Sequence, residues 1–199
     1  MRRIVAVESV SLDGVMQAPG DPEEDTRGGF ERGGWAHPYQ DEVMLQEMGK
    51  GFGMTDLLFG RRTYEQFYGF WPKQTDGNPF TGLLNATQKY VASRTLIEPL
   101  PWENSTLLSG DAAEAIEELK QQPGKDLVVL GSGELVRDLM QHGLVDAFAL
   151  LIHPMVLGAG HRLFPDTGTL TNWRLTSCVP TSTGVIIANY ELNASVAGS

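Results

Sequence analysis

The spacing of apolar and polar positions changes several times along this chain. Arg2 to Val10 is rich in β-branched residues and predicts a strand. The stretch from Ser11 to Asp41 loses all periodicity and carries six glycines and three prolines, so residues 11–40 are expected to form a long loop. Structureless stretches longer than about 12–15 residues inside a compact domain are usually lids, binding loops or inserts. The acidic middle of this one, Asp21 to Asp25, reads as solvated surface, whereas Phe30, Trp35 and Tyr39 predict that its second half packs back on the protein. Met44, Leu45 and Met48 then fall at helical spacing, with Gly49 and Gly51 as stop signals.

Further along, strand and helix periods alternate. Asp56 to Gly60 is a buried-strand candidate, and Tyr64, Phe67, Tyr68 and Trp71 form one helical stripe that Pro72 ends. Residues 89–96 and 105–109 predict strands. Ala112, Ala115, Ile116 and Leu119 predict a helix that opens on Asp111 with Glu114 as a capping pair and stops at Pro123-Gly124. Leu127 to Leu130 is a strand, Glu134 to His142 a helix with Leu135, Val136, Leu139 and Met140 inward, and "VDAFALLIHPMV" a long apolar strand. A hairpin is expected from residues 173–179 and 184–192. Together these elements predict an α/β fold with about eight strands and four helices. Its sheet is mainly parallel, covered on both faces, and antiparallel at the C-terminal end.

Bulk properties narrow the function. A chain of 199 residues supports one domain, and 41% hydrophobic with 20% charged residues is ordinary for a globular protein. No uncharged apolar run approaches the roughly 18 residues of a membrane span, and Glu8 and Ser9 break the N-terminal apolar segment, so a cytoplasmic protein without a membrane partner is expected. The net charge of -10 repels phosphate backbones and argues against nucleic acid, although a few arginines gathered in one cleft can still hold a small phosphorylated ligand. The single Cys178 reads as a small packed hydrophobe. His37, His142, His153 and His161 lack companions at metal-ligand spacing, so no metal is expected and each reads as a structural or surface histidine.

Three strand ends carry groups suited to phosphate. "LVVLGSGELVRDLM" places Gly131, Ser132 and Gly133 between a strand and a helix, where a helix N-terminus offers free N–H groups to an anion; a simple tight turn is the alternative. It is not a dinucleotide fingerprint of the G-x-G-x-x-G kind, since Val136 stands at the third glycine position, and it is not a P-loop. "FGRRTYEQF" sets Arg61 and Arg62 against the helix dipole, a placement that calls for an anion or a carboxylate unless the pair is merely solvated. "VASRTL" puts Ser93-Arg94 at the end of a third strand. Near the end of the first strand, Asp13 beside Gly14 is either an Asp-Gly turn or a buried acid with a raised pKa able to deliver a proton.

In this order, "GRRTYEQF", "KYVASRTL" and "VLGSGELVRDL" resemble the dihydrofolate reductase fold over almost the whole chain. More closely, "ESVSLDGVMQAPG", "GGFERGGW", "LLFGRRTYEQF" and "LVDAFALLIHPMVLGAGHRLF" resemble the bacterial branch related to the reductase domain of the bifunctional riboflavin-biosynthesis protein. The resemblance implies a three-layer dihydrofolate reductase-like fold and NADPH as cofactor. Gly60, Arg61, Arg62 and Thr63 would meet the pyrophosphate and 2′-phosphate, and Ser93 with Arg94 would hold the adenosine 2′-phosphate. Leu130, Gly131, Ser132, Gly133, Glu134 and Leu135 would form the turn under the pyrophosphate, while Asp13 and Gly14 would lie in a loop over the nicotinamide. It further implies a cis Gly131–Ser132 peptide, so that a trans bond there counts against the detailed matching.

Asp13 is the first candidate for the catalytic acid, with Trp35 and Tyr39 as candidate stacking groups and Asp41 as a candidate substrate-side acid. The riboflavin-pathway branch usually carries a glutamate at the position of Gly131 on its substrate side, so the resemblance implies the cofactor more firmly than that branch's ribosylaminopyrimidine substrate. The expected activity is an NADPH-dependent reductase passing hydride to a small planar heterocycle of pteridine or aminopyrimidine type. The alternative is a non-catalytic NADP-binding or ligand-sensing protein on the same scaffold. A homodimer is expected from the resemblance and from the long apolar strand around Phe148 to Val156, which a monomer would bury equally well.

Overall fold

The computed structural model describes residues 1–193 apart from 52, 76, 78, 165–167 and 169. Eight strands form one mixed sheet in the order β4-β3-β2-β5-β1-β6-β8-β7. They are β1 (Ile4–Ser11), β2 (Thr55–Gly60), β3 (Lys89–Ala92), β4 (Ser105–Leu108), β5 (Asp126–Leu130), β6 (Ala147–His153), β7 (Trp173–Pro180) and β8 (Ile186–Leu192). The helices among the described residues are α1 (Glu42–Gly49), α2 (Arg61–Phe70), α3 (Pro79–Ala86), α4 (Ala112–Gln121) and α5 (Gly133–Gln141). Helix α3 is one more than the hydrophobic period predicts. Phe80, Leu83 and Leu84 stand at i, i+3 and i+4, but Pro79 and Gly82 punctuate this short stretch and make it look like a loop.

By their contacts the residues fall into two compact units, Met1–Val5 with Gly51–Leu144, and Ala6–Lys50 with Val145–Ser199. In the first, β2 pairs in parallel with β3 and with β5, and β3 pairs in parallel with β4. Four of the six residues of β2 are buried in succession, the burial expected of a strand inside a parallel sheet covered on both faces. Helix α2 brings its aromatic stripe down on this core. The Phe67 ring lies 5.3 Å from Phe59, and buried Tyr64 accepts a hydrogen bond from the Trp102 backbone N–H at 3.0 Å.

The second unit is built on the antiparallel pairs β6·β8 and β7·β8. The loop after β1 packs on it, as Phe30, Trp35 and Tyr39 predict. Phe30 and Trp35 are buried with Val15, Ala18 and Leu157, and Tyr39 packs against Met44, Leu151, Val185 and Ile187. Two expectations change here, while the apolar run in β6 is buried in the sheet between β1 and β8. The acidic stretch is not uniformly solvated, because Glu24 turns partly inward to accept the Gly20 N–H at 2.7 Å. Cys178 is exposed on β7 rather than packed.

Candidate functional site

In the first unit, β3, β2 and β5 are neighbours in the sheet, and their parallel registers set Gly60 opposite Ala92 and Leu58 opposite Val129. The turns that follow, 60–63, 93–94 and 130–135, therefore leave the sheet from the same ends of three adjacent strands. This is where ligands collect in an open α/β sheet. The Gly60 backbone N–H donates to Ser132 Oγ at 2.9 Å and ties two of the turns together. Gly131 (φ 62°) and Ser132 (φ 63°) are successive left-handed residues, a conformation that suits glycine and strains serine. The hydrogen bond from Gly60 offsets part of the serine's strain. Thr63 Cγ2 packs 3.7 Å from the position a Cβ on Gly131 would take.

Helix capping separates these turns from the starts of α1 and α4. Helices α1 and α4 open on Asp41 and Asp111, whose side chains accept first-turn N–H groups. Helix α2 opens on Gly60 and α5 on Ser132, neither with a side-chain cap, so their leading N–H groups stay available to an anion. The adjacent arginines of α2 have found carboxylates: Arg61 pairs with Glu65 at 2.8 Å and Arg62 with Glu134 at 3.4 Å. Arg94 is exposed and makes no ion pair among the described residues. Ser93 Oγ accepts the N–H groups of Thr95 and Leu96 at 3.1 and 3.0 Å, which shapes the turn that carries Arg94. Leu130 and Leu135 are buried, so they seat the 131–134 turn from below.

The bond between Gly60 and Ser132 has a measurable value. Ser132→Ala deletes the acceptor and keeps the left-handed strain, and is expected to cost about 1 kcal/mol, a fall in Tm of about 3 °C. Ser132→Gly loses the same bond but relieves the strain, so it should melt above Ser132→Ala. Thermal unfolding followed by circular dichroism compares the two, and equal melting points would remove the tie from the account.

In the second unit the structure reverses the reading of Asp13. Ser11 Oγ donates to its Oδ1 at 2.7 Å, the Leu157 N–H to the same oxygen at 3.0 Å, and the Gly158 N–H to Oδ2 at 2.8 Å. These donors stabilise the ionised carboxyl and hold its pKa at about 2, the Ser11 bond contributing most. Asp13 is a clasp between the turn at Gly14 and the 157–158 turn, not an acid with a proton to give. Asp41 behaves alike. It caps α1 through the Met44 N–H and receives both the N–H and the hydroxyl of Ser182, the hydroxyl foremost, so that its pKa also falls to about 2. Trp35 is a core residue whose indole N–H donates to the Gln17 carbonyl at 2.7 Å, so no open stacking face is left on it.

Two titratable groups outside the motifs are the unusual ones, Glu8 and the histidine read as structural or surface, His153. Glu8 is 4% exposed, its Oε1 has no hydrogen-bond partner, and burial, followed by the charge of Glu24, pushes its pKa up to about 8. His153 is 1% exposed with both ring nitrogens unpartnered, and burial pulls it down to about 4. The rings of Trp35 and Tyr39 meet it edge to face at 5.1 and 5.5 Å. The signals were present in the sequence: Glu8 shares the phase of Ile4, Ala6 and Val10 in a strand, and His153 ends the apolar run "AFALLIH". No group of three or more His, Cys, Asp or Glu side chains among the described residues could hold a metal ion. Nor is any helix among them long and apolar enough to cross a membrane.

The family model described as the RibD C-terminal domain matches residues 2–187. The chain belongs to this family. Within reach of the same sequence is YyaP of Bacillus subtilis (strain 168), an uncharacterised protein 32% identical over 96% of each chain. Solved structures share the fold at lower identity. A pyrimidine reductase-like protein from Corynebacterium diphtheriae is 13% identical over 96% of this chain and 92% of its own, with a TM-score of 0.64. Dihydrofolate reductase from Enterococcus faecalis, complexed with NADP(H), is 14% identical over 96% of both chains, with a TM-score of 0.60. The chain thus has the dihydrofolate reductase-like fold of a RibD C-terminal domain relative. One detail of the resemblance fails. The cis peptide among the described residues is Glu98–Pro99, and Gly131–Ser132 is trans. Two successive left-handed residues turn the chain there instead, which counts against matching this RibD-type turn atom for atom to dihydrofolate reductase.

Proposed function

We propose that this chain is an NADPH-dependent oxidoreductase whose first unit holds the phosphates of the dinucleotide. The observation that carries the reading is the exit of three turns from the same ends of adjacent parallel strands, with two uncapped helix starts and the unpaired Arg94 among them. The donor set suits such a ligand. The leading N–H groups of α2 and α5 match a pyrophosphate, which Gly131 lets approach because it has no Cβ. Arg94 and Arg61 supply charge-assisted hydrogen bonds to a 2′-phosphate. When bound, the nicotinamide supplies a hydride. The acceptor is a small planar heterocycle of the pteridine or aminopyrimidine class, in keeping with the pyrimidine reductase-like and dihydrofolate reductase relatives. The test is a calorimetric titration of the purified protein with NADPH and with NADH. NADPH is expected to bind far more tightly, and equal weak binding of both would undo the role given to the arginines.

One observation favours a second reading, a nucleotide sensor without catalysis. Asp13 and Asp41, the acids that the resemblance pointed to, are both held as hydrogen-bonded carboxylates. NADPH binding with no oxidation across a panel of dihydropteridines and aminopyrimidines would select that reading.

A further inference from the structure

We propose that Glu134 is a specificity-determining residue of the phosphate cradle, a carboxylate that stands in for the ligand on Arg62 and that only a ligand able to displace it can replace. The inference rests on the reading of the 60–63 and 130–135 turns as a dinucleotide site. Arg62 lies in the first turn of α2 and Glu134 in the first turn of α5, so their 3.4 Å pair bridges two helix starts that lack side-chain caps. A carboxylate at that place takes the favourable end of the α5 dipole and the Arg62 guanidinium together. Those are the two groups that an incoming pyrophosphate needs.

The pair is set up to exchange. Both side chains are about half exposed, at 51% and 56%, and an exposed pair of this length is weakly held. The shorter Arg61 pair with Glu65 lies within α2, four residues apart, and links no second element. Glu134 therefore competes with the ligand while the other carboxylate supports its own helix. A single phosphate can meet Arg62 or the start of α5; two linked phosphates can meet both, which recovers what is lost when Glu134 swings out. The consequence is a preference. Ligands with linked phosphates are favoured over isolated anions, which meet the resident negative charge with less to offset it.

The test compares the wild-type chain with Glu134→Gln, which keeps the shape and removes the charge. Calorimetric titrations would use inorganic phosphate, inorganic pyrophosphate, NADH and NADPH at low salt. In Glu134→Gln, phosphate should gain about fivefold in affinity, and pyrophosphate and both dinucleotides should gain by less, about twofold to threefold. In an Arg62→Ala background the same substitution should change affinity by less than about twofold, a double-mutant comparison that a bystander at position 134 would not satisfy. Unchanged or weaker binding in Glu134→Gln, with the wild type binding NADPH, would overturn the proposal and leave the cofactor site standing. No binding of either dinucleotide by wild type and variant alike would remove the site itself, and this inference with it.

Discussion

Glu8→Gln should stabilise this protein at alkaline pH by more than any surface change could. In the unfolded chain the carboxyl titrates near 4.5, and in the folded chain near 8. Between those values the folded state retains a proton that the unfolded state has released. The stability that is present in full below pH 4.5 therefore falls as the pH rises, by about 1.4 kcal/mol per pH unit, until the folded group itself ionises near 8. Over that window the loss is roughly 4 kcal/mol, equivalent to about 10 °C in Tm for a chain of this size. Glutamine has the shape of the protonated acid and nothing to ionise, so its variant should match the wild type near pH 4.5 and melt progressively higher above it. Melting curves recorded from pH 4.5 to 8.5 give the comparison; two parallel profiles would show that Glu8 does not hold its proton in the fold.

Arg94→Ala should cost at least about tenfold in NADPH affinity while leaving NADH within about twofold. The ligands differ by one phosphate, and one charge-assisted hydrogen bond contributes about 1.5–3 kcal/mol. Adding Arg61→Ala should bring the NADPH loss to roughly fiftyfold, less than twice the single effect in free energy, because Arg61 must first leave Glu65. Rising salt should weaken NADPH more steeply in the wild type than in the double variant, since fewer charged contacts remain to screen. If both dinucleotides weaken equally, Arg94 acts on the shared pyrophosphate and the selectivity lies elsewhere.

The periods of the sequence locate nearly every strand and helix within a few residues. Period reads the side on which a residue is buried, and burial is what these elements share. Helix α3 escaped because Pro79 and Gly82 read as turn residues and mask the short step of Phe80, Leu83 and Leu84. The grouping of Arg61, Arg94 and Gly131 was legible in another way. Each follows an apolar strand at a junction with polar or glycine residues, and parallel pairing brings such junctions to one side.

What sequence could not tell was how each acid would be partnered. "SLDG" fits a turn or a proton donor equally well, and only the approach of the Leu157 and Gly158 N–H groups, over a hundred residues away, makes Asp13 a clasp. Likewise Arg62 found Glu134 across 72 positions. Local pattern determined which elements form and which residues lie at strand ends, because backbone propensity and hydrophobic period act over a few neighbouring residues. Tertiary structure alone decided which carboxyls are ionised, which arginine is left for a ligand and which acid is buried with an unpartnered oxygen. Charge and hydrogen bonding depend on atoms a few ångströms away, wherever in the chain they come from.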